Sequence, residues 1–112
     1  MNIEEIRLYA LQKEGATESF PFGEDTLVFK VANKIFLLAG LNEAELSFNV
    51  KCDPARAIEL REEYPCVQPG YHMNKKHWNT IVVDGSVSNK QLKEWIDWSY
   101  ELVMGKSSKI KK

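Results

Sequence analysis

The sequence predicts an α+β domain with two layers, in which a twisted antiparallel sheet is packed on one face by helices. Apolar and polar residues alternate, as they do in half-buried strands, near 26–31, 34–39, 46–51 and 78–83. Apolar residues recur at helical spacing near 2–14, 54–64 and 88–104. Because strands follow one another without a helix after each, the pattern favours an antiparallel sheet with its helices on one face.

The first helix is predicted from a capping pattern at the N-terminus. Asn2 is followed three residues later by Glu5, and the apolar stripe that begins there ends before Gly15. The next aromatic segment, 19–23, is interrupted by proline and glycine, so it predicts at most a short edge strand leading into a turn. Four phenylalanines are expected in the core: Phe20, Phe22, Phe29 and Phe36.

The central strands are predicted to form a hairpin followed by a half-buried strand. Ala32 and Asn33 separate the first two strands, and asparagine tolerates the left-handed conformation of a tight turn. In the third strand Leu46, Phe48 and Val50 are predicted to face the helices. Successive strand residues point to opposite faces, so the open face is expected to be polar and to carry Ser47, Asn49 and Lys51, with Lys30 from the first strand.

The remaining helices also carry terminal signals. Asp53 is placed to cap the second helix, and Ser88, with Gln91 three residues on, predicts a capping box for the last. Gly105 is placed to end the last helix. One domain is therefore predicted over 1–105, followed by a basic, frayed tail over 106–112.

Composition limits the classes of protein. The 112 residues fit one domain, no apolar run approaches the ~20 residues of a membrane helix, and the acidic N-terminus is unlike a secretory signal, so a cytoplasmic protein is expected. Residues 1–50 carry eight acids and four bases, whereas residues 51–112 carry eight acids and eleven bases. The pI of 6.1 is below that of a strong DNA binder, so any nucleic-acid role must depend on a local patch.

The segment 69–80 holds both histidines, two lysines, two asparagines and a tryptophan. Lysines with amide donors suit contact with phosphate, and Trp78 would offer a stacking surface for a base if its ring faced outward. The alternative is that Trp78 is a core strand residue and that the lysines only solubilise the loop.

Metal and enzyme chemistry have less support. Cys66, His72 and His77 are possible zinc ligands without a clear fourth, so no metal and no cofactor are expected. A Cys–His nucleophile pair lacks an orienting third group and an oxyanion hole, so no enzymatic activity is expected. Cys52 and Cys66, fourteen positions apart, fit neither a zinc pattern nor a disulfide framework, and both are expected to be reduced thiols.

Several segments resemble the MmcQ/YjbR family of small bacterial proteins. They are 20–23, 48–54, 64–65, 69–80 and 84–85, in the family's order and spacing. The resemblance implies a frataxin-like (CyaY-like) fold and a DNA-binding function through a "double wing" of sheet hairpins. This chain departs from the family at Ala32 and Asn33, where glycines are common, and a stiffer wing is expected there.

Two functions stay open. The first is a monomeric module that binds the phosphate backbone of DNA through ten residues: Lys30, Asn49, Lys51, His72, Asn74, Lys75, Lys76, His77, Trp78 and Asn79. The second is a non-enzymatic adaptor that binds a protein or a small anion through the same surface, which the near-neutral pI favours.

Overall fold

A computed structural model describes residues 1–41, 44–70 and 74–105 of the chain. The helices in these ranges are α1 (Ile3–Leu11), α2 (Pro54–Glu63) and α3 (Asn89–Met104). The strands are β1 (Thr17–Ser19), β2 (Thr26–Val31), β3 (Lys34–Gly40), β4 (Ser47–Lys51), β5 (Val67–Pro69) and β6 (Trp78–Val82). They form one sheet in the order β1-β2-β3-β4-β6-β5, and every neighbouring pair is antiparallel. None of the described helices has the length and apolar character needed to cross a membrane.

All three helices pack on the same face of the sheet. Ile6 of α1, Leu60 of α2 and Trp95 of α3 belong to one buried cluster with Phe48 and Val50 of β4. This confirms the α+β class, the inward face of β4 and the core position of Trp95. The larger buried cluster runs from Ile6 to Val103, within the predicted domain 1–105, whereas the predicted tail, 106–112, lies outside the described residues.

The predicted elements and the observed ones differ mainly at the edges of the sheet. The first helix ends at Leu11, three residues before the predicted end. β1 precedes the predicted edge segment 19–23 and shares only Ser19 with it. β5 was not predicted, because its three residues include a proline and two of them are exposed, which leaves no apolar alternation to detect.

Two predicted core residues prove to be exposed. Phe29 and Phe36 are buried as predicted, but Phe20 is 51% exposed and Phe22 is 65% exposed. The amide of Gly23 donates to the carbonyl of Phe20, so this segment turns beyond the edge strand instead of continuing in the sheet. Its two aromatic side chains therefore do not reach the core.

Helix caps agree with the sequence in all but one detail. The Oδ1 of Asn2 accepts a bond from the amide of Glu5, and the Oε1 of Glu5 accepts one from the amide of Asn2, which completes the predicted capping box. The hydroxyl of Ser88 accepts from the amide of Gln91, but the Gln91 side chain donates to Glu94 and does not accept from the amide of Ser88. The N-terminus of α3 is therefore capped by the Ser88 side chain alone, and the predicted capping box is only half formed.

A buried hydroxyl joins α3 to the sheet where β3 and β4 separate. Phe36 is an extra residue on β3, because Leu37 pairs with Phe29 while Ile35 pairs with Lys30. The amide of Lys51 donates to Ser99 Oγ at 2.8 Å, and Ser99 Oγ donates to the carbonyl of Phe36 at 2.6 Å. Ser99 is fully buried, and its hydroxyl replaces a bond between the two strands.

Candidate functional site

Strand direction and register place two predicted site lysines at one level of the sheet. Phe29, Leu37 and Val50 form a row across β2, β3 and β4. Since β2 and β4 run in the same direction, Lys30 and Lys51 both lie one step beyond that row. They are separated by two strand spacings, about 10 Å. Both are half-buried and lie on the face away from the helices.

Other lysines lie at the same end of the sheet. Lys34 follows the β2–β3 turn and is the first residue of β3. Lys75 and Lys76 come just before Trp78, and Trp78 of β6 pairs with Lys51 of β4. We call this group the basic end, and it consists of Lys30, Lys34, Lys51, Lys75 and Lys76. Lys34, Lys75 and Lys76 are exposed. Lys34 was not among the predicted site residues, although its position next to the predicted turn was the signal that could have identified it.

Acidic residues lie at the opposite end of the sheet. They occur before β2, before β4 and after β6, and they are Glu24, Asp25, Glu45 and Asp84, all exposed. We call this group the acidic end. The basic end is not free of acids: Glu14 lies just before β1, whose residue Thr17 pairs with Lys30, and the carboxylate of Asp53 accepts from the amide of Arg56 to cap α2. This separation of charge does not follow the two halves of the sequence, because Lys30 and Lys34 come from the first half and Asp84 from the second.

Asn74 shapes the described part of the loop that leads into β6. Its Oδ1 accepts from the amide of Lys76 at 2.8 Å. Its backbone carbonyl accepts from the amides of His77 and Trp78 at 3.2 and 3.0 Å. The amide oxygen that was expected to help bind a ligand is therefore engaged in forming the turn. Residues 74–77, which carry two lysines of the basic end, are called the lysine loop below.

The lysine loop is held against the sheet on both sides. The amide of Cys52 donates to the carbonyl of His77 at 2.7 Å, and the amide of Gly70 donates to the carbonyl of Trp78 at 2.9 Å. A Cβ on Gly70 would lie 2.8 Å from the Cβ of Trp78, so only glycine allows β5 to approach so closely. His77 is half-buried, and His72 lies outside the described residues.

The predicted contact through Asn79 is wrong. Asn79 is 1% exposed and belongs to the face that packs against α2. Its Oδ1 accepts from Arg61 Nε at 2.7 Å, and its Nδ2 donates to the carbonyl of Ala57 at 3.4 Å. Both ends of the amide are therefore used inside the protein. Arg61 had not been predicted as a site residue, and nothing in its sequence neighbourhood indicates this contact.

The predicted stacking surface on Trp78 is also wrong. Trp78 is on the open face, but its side chain is only 8% exposed because it packs in a second apolar cluster with Val28 and Leu38. The open face is accordingly not wholly polar. Asn49 lies beside this cluster, half-buried, and its Oδ1 accepts from the hydroxyl of Thr80. The exposed chemistry of this region is mainly that of the lysines.

Both cysteines are buried and unpaired, as predicted. Burial raises the pKa of the Cys52 thiol to about 11, so this residue is a neutral thiol near neutral pH. A nucleophilic cysteine requires the opposite shift, toward thiolate. In the ranges that the structure describes, no group of three or more His, Cys, Asp or Glu residues is arranged to hold a metal ion.

Comparison with known proteins places this geometry in a family. Residues 11–102 match the family model YjbR. The chain is 38% identical over 85 residues to YbdF of Escherichia coli O157:H7, covering 76% of this chain and 70% of that protein. It is 32% identical over 101 residues to YjbR of Escherichia coli K12, covering 90% of this chain and 86% of that one.

Solved structures share the fold. The Deinococcus radiodurans protein DR2400, described by the domain name DUF419, superimposes with a TM-score of 0.88 at 37% identity. That match covers 94% of this chain and 80% of the other. A Pseudomonas syringae protein superimposes with a TM-score of 0.79 at 27% identity, covering 92% of this chain and 99% of the other. The arrangement of helices and sheet described above is therefore shared with these relatives.

Proposed function

We propose that this chain, which belongs to the YjbR family, is a non-enzymatic module that binds the phosphate backbone of nucleic acids, DNA in the first place, through the basic end. The observation that carries the proposal is the collection of five lysines at one end of the sheet, with four exposed acids at the other. Lysine side chains provide the fixed positive charge that phosphate contact requires.

The hairpins support the same proposal. The β2–β3 turn and the loop between β5 and β6 both lie at the basic end, on either side of the end of β4. The family resemblance leads us to expect a double wing, and two hairpins at the same end of the sheet support that expectation. Lys34 lies on one hairpin and Lys75 and Lys76 on the other, with Lys51 between them. A backbone laid across this end would meet positive charge from three strands and a loop.

The test is a salt titration with a paired substitution. Affinity of the parent for a short DNA duplex, followed by fluorescence anisotropy, is expected to fall steeply with log[salt] because counterions are released. Lys75→Ala with Lys76→Ala is expected to weaken binding to all sequences alike and to flatten the slope by about 1.8, since each lost phosphate contact contributes about 0.9.

A matched control removes the same charge elsewhere. Lys90→Ala with Lys93→Ala changes two exposed lysines on the first turns of α3, on the helix side of the sheet, and is expected to leave the slope unchanged. Equal effects of the two double variants would show that only net charge matters and would overturn the assignment to the basic end. A parent that fails to bind DNA at low salt would overturn the proposed function.

The alternative adaptor function makes a different prediction in the same assay. The net charge of −1 is compatible with a protein or small-anion partner. Binding to a protein partner is expected to respond weakly to salt, because no condensed counterions are released.

Three further expectations belong to the proposal. The antiparallel sheet with α1 and α3 on one face supports the frataxin-like (CyaY-like) arrangement. We also propose a cytoplasmic, monomeric protein, and a dimer mass by light scattering at the concentrations of the binding assay would contradict the monomer.

A further inference from the structure

We infer that Arg61 is a positioning residue that fixes the lysine loop from α2 without contacting the ligand. The inference rests on the proposed function for its ligand, but its structural part can be tested without one. Arg61 is half-buried on the last turn of α2, on the helix side of the sheet. It does not belong to the basic end as defined above.

One guanidinium group holds three parts of the neighbouring chain. Nη2 donates to the carbonyl of Lys75 in the lysine loop. The same nitrogen lies 3.3 Å from the carbonyl of Trp78, the first residue of β6. Nε donates to Oδ1 of Asn79, the second residue of β6, at 2.7 Å. Arg61 therefore joins the loop and the start of the strand to one helix.

The receiving groups are themselves fixed. Asn79 is held on its other side by the carbonyl of Ala57, one turn before Arg61 on α2. The Lys75 carbonyl is drawn toward the helix, while the side chains of Lys75 and Lys76 are exposed. The contact thus acts on the backbone of the loop and leaves its charged groups available.

The geometry requires arginine specifically. A guanidinium is a planar fork with five N–H donors, so it can serve an amide oxygen and two carbonyls in fixed directions at once. A lysine at the same position would retain the charge but would present one nitrogen at the end of a flexible stem. Arg61→Lys therefore separates positioning from charge.

The expected effect is a loss of affinity without a loss of phosphate contacts. If the lysine loop is freed, binding must order it again, and Arg61→Lys is expected to weaken DNA binding about tenfold. The salt slope is expected to stay that of the parent, because the lysines still meet the same phosphates. If Arg61 instead contacts phosphate itself, Arg61→Lys will bind like the parent, and Arg61→Ala will lose about 0.9 from the slope. That result would overturn the inference.

The control is the other arginine of α2. Arg56 is exposed and stacks over the ring of Trp98, with 4.2 Å between its Cζ atom and the ring centroid. Arg56→Lys makes the same chemical change without touching the lysine loop, so affinity and slope are both expected to match the parent. An equal loss in both variants would contradict a specific role for Arg61.

Amide hydrogen exchange supplies the readout that needs no ligand. In the parent, the amides of Lys76, His77 and Trp78 are bonded within the loop and should exchange slowly. In Arg61→Lys they should exchange faster, while the amides of β2 and β3 are unchanged. Fast exchange of the three amides in the parent would show a loop that is not fixed, and would overturn the inference even if the variant failed to fold. A parent that binds no DNA but shows the predicted exchange would refute the proposed function alone.

Discussion

Ser99 shows how one buried polar side chain can join the helix layer to the sheet. Its hydroxyl accepts a hydrogen bond from the Lys51 amide and donates one to the Phe36 carbonyl, at the point where β3 and β4 no longer pair. Ser99→Ala would leave both backbone groups buried without this partner. We expect the free energy of unfolding to fall by about 2–4 kcal/mol, because an unsatisfied buried group costs about 1–3 kcal/mol.

Denaturant unfolding of the Ser99→Ala variant measures this loss. Ser19→Ala is the control, since Ser19 is exposed on the edge strand β1, and it should change stability by less than about 0.5 kcal/mol. A similarly small loss for Ser99→Ala would show that the hydroxyl does not bridge the strands.

Cys52 makes stability depend on alkaline pH. Burial raises its pKa from 9.0 to about 11 in the folded protein, so the folded state holds the proton more tightly than the unfolded chain. The stabilisation is therefore fully present below pH 9 and is lost as the pH rises toward 11. This shift of the pKa corresponds to a contribution of at most roughly 2–3 kcal/mol to the free energy of unfolding.

The test is to unfold the parent and the Cys52→Ala variant in urea at pH 8 and at pH 10.5. Tyrosines and lysines titrate in the same pH range in both proteins, so the difference between the two proteins reports the contribution of the Cys52 thiol to stability. We expect the parent to lose more stability than the variant over this interval. Identical losses in the two proteins would mean that Cys52 ionises as freely when folded as when unfolded.

At the residue scale, the sequence predicted correctly that Lys30 and Lys51 lie on the open face, but it did not predict that Trp78 and Asn79 are buried. Alternation in β6 separates Trp78 and Thr80 from Asn79 and Ile81, but each set contains one large apolar residue and one polar one. The pattern therefore does not say which set faces the helices. That choice depends on Arg61 and Ala57, which reach Asn79 from a helix about twenty positions earlier in the chain.

At the scale of elements, the β2–β3 hairpin carries a local strain. Ala32 and Asn33 have φ values of 52° and 66°, so both residues of the turn are left-handed, as in a type I′ turn. The sequence predicted such a conformation for asparagine, which tolerates it. For alanine this conformation costs about 1–2 kcal/mol, because its Cβ approaches the carbonyl oxygen that follows.

Ala32→Gly is expected to stabilise the protein by about 0.5–1 kcal/mol. Glycine removes the strain energy of the left-handed turn, about 1–2 kcal/mol. It also adds an entropic cost of folding of about 0.5–1 kcal/mol, which is the smaller of the two free energies. Ala55→Gly is the control in denaturant unfolding, because it introduces the same change on an exposed position of α2 and should destabilise by up to about 1 kcal/mol. Destabilisation by both substitutions would contradict the strain assigned to the turn.

The elements themselves were predictable where their patterns were long. The three helices and the four central strands follow from periodicity and caps that span five or more residues. β1 and β5 have three residues each, and their place in the sheet is decided by pairing with β2 and β6, not by local pattern. Short edge strands of this kind depend on tertiary contacts that a single sequence does not display.

At the scale of the whole molecule, the basic end depends on topology. Lys30 and Lys34 are more than forty residues away from Lys75 and Lys76 in sequence. They share an end only because β4 lies between β3 and β6, so that both hairpin loops point the same way. The antiparallel class was predictable, but the strand order was not, and neither was the segregation of acids at the other end.

The basic and acidic ends place opposite charges at the two ends of the strands, so the described sheet carries an electric dipole along them. The net charge of −1 is smaller than the charge gathered at either end, so at close range the separation between the ends outweighs the net charge. Near a polyanion the field exerts a torque, which turns the lysines toward the negative charge within roughly a Debye length, about 8 Å at physiological salt. Under the proposed function, the first encounters with a phosphate backbone would already be oriented, and a protein with a pI of 6.1 would not need an overall positive charge to present its lysines.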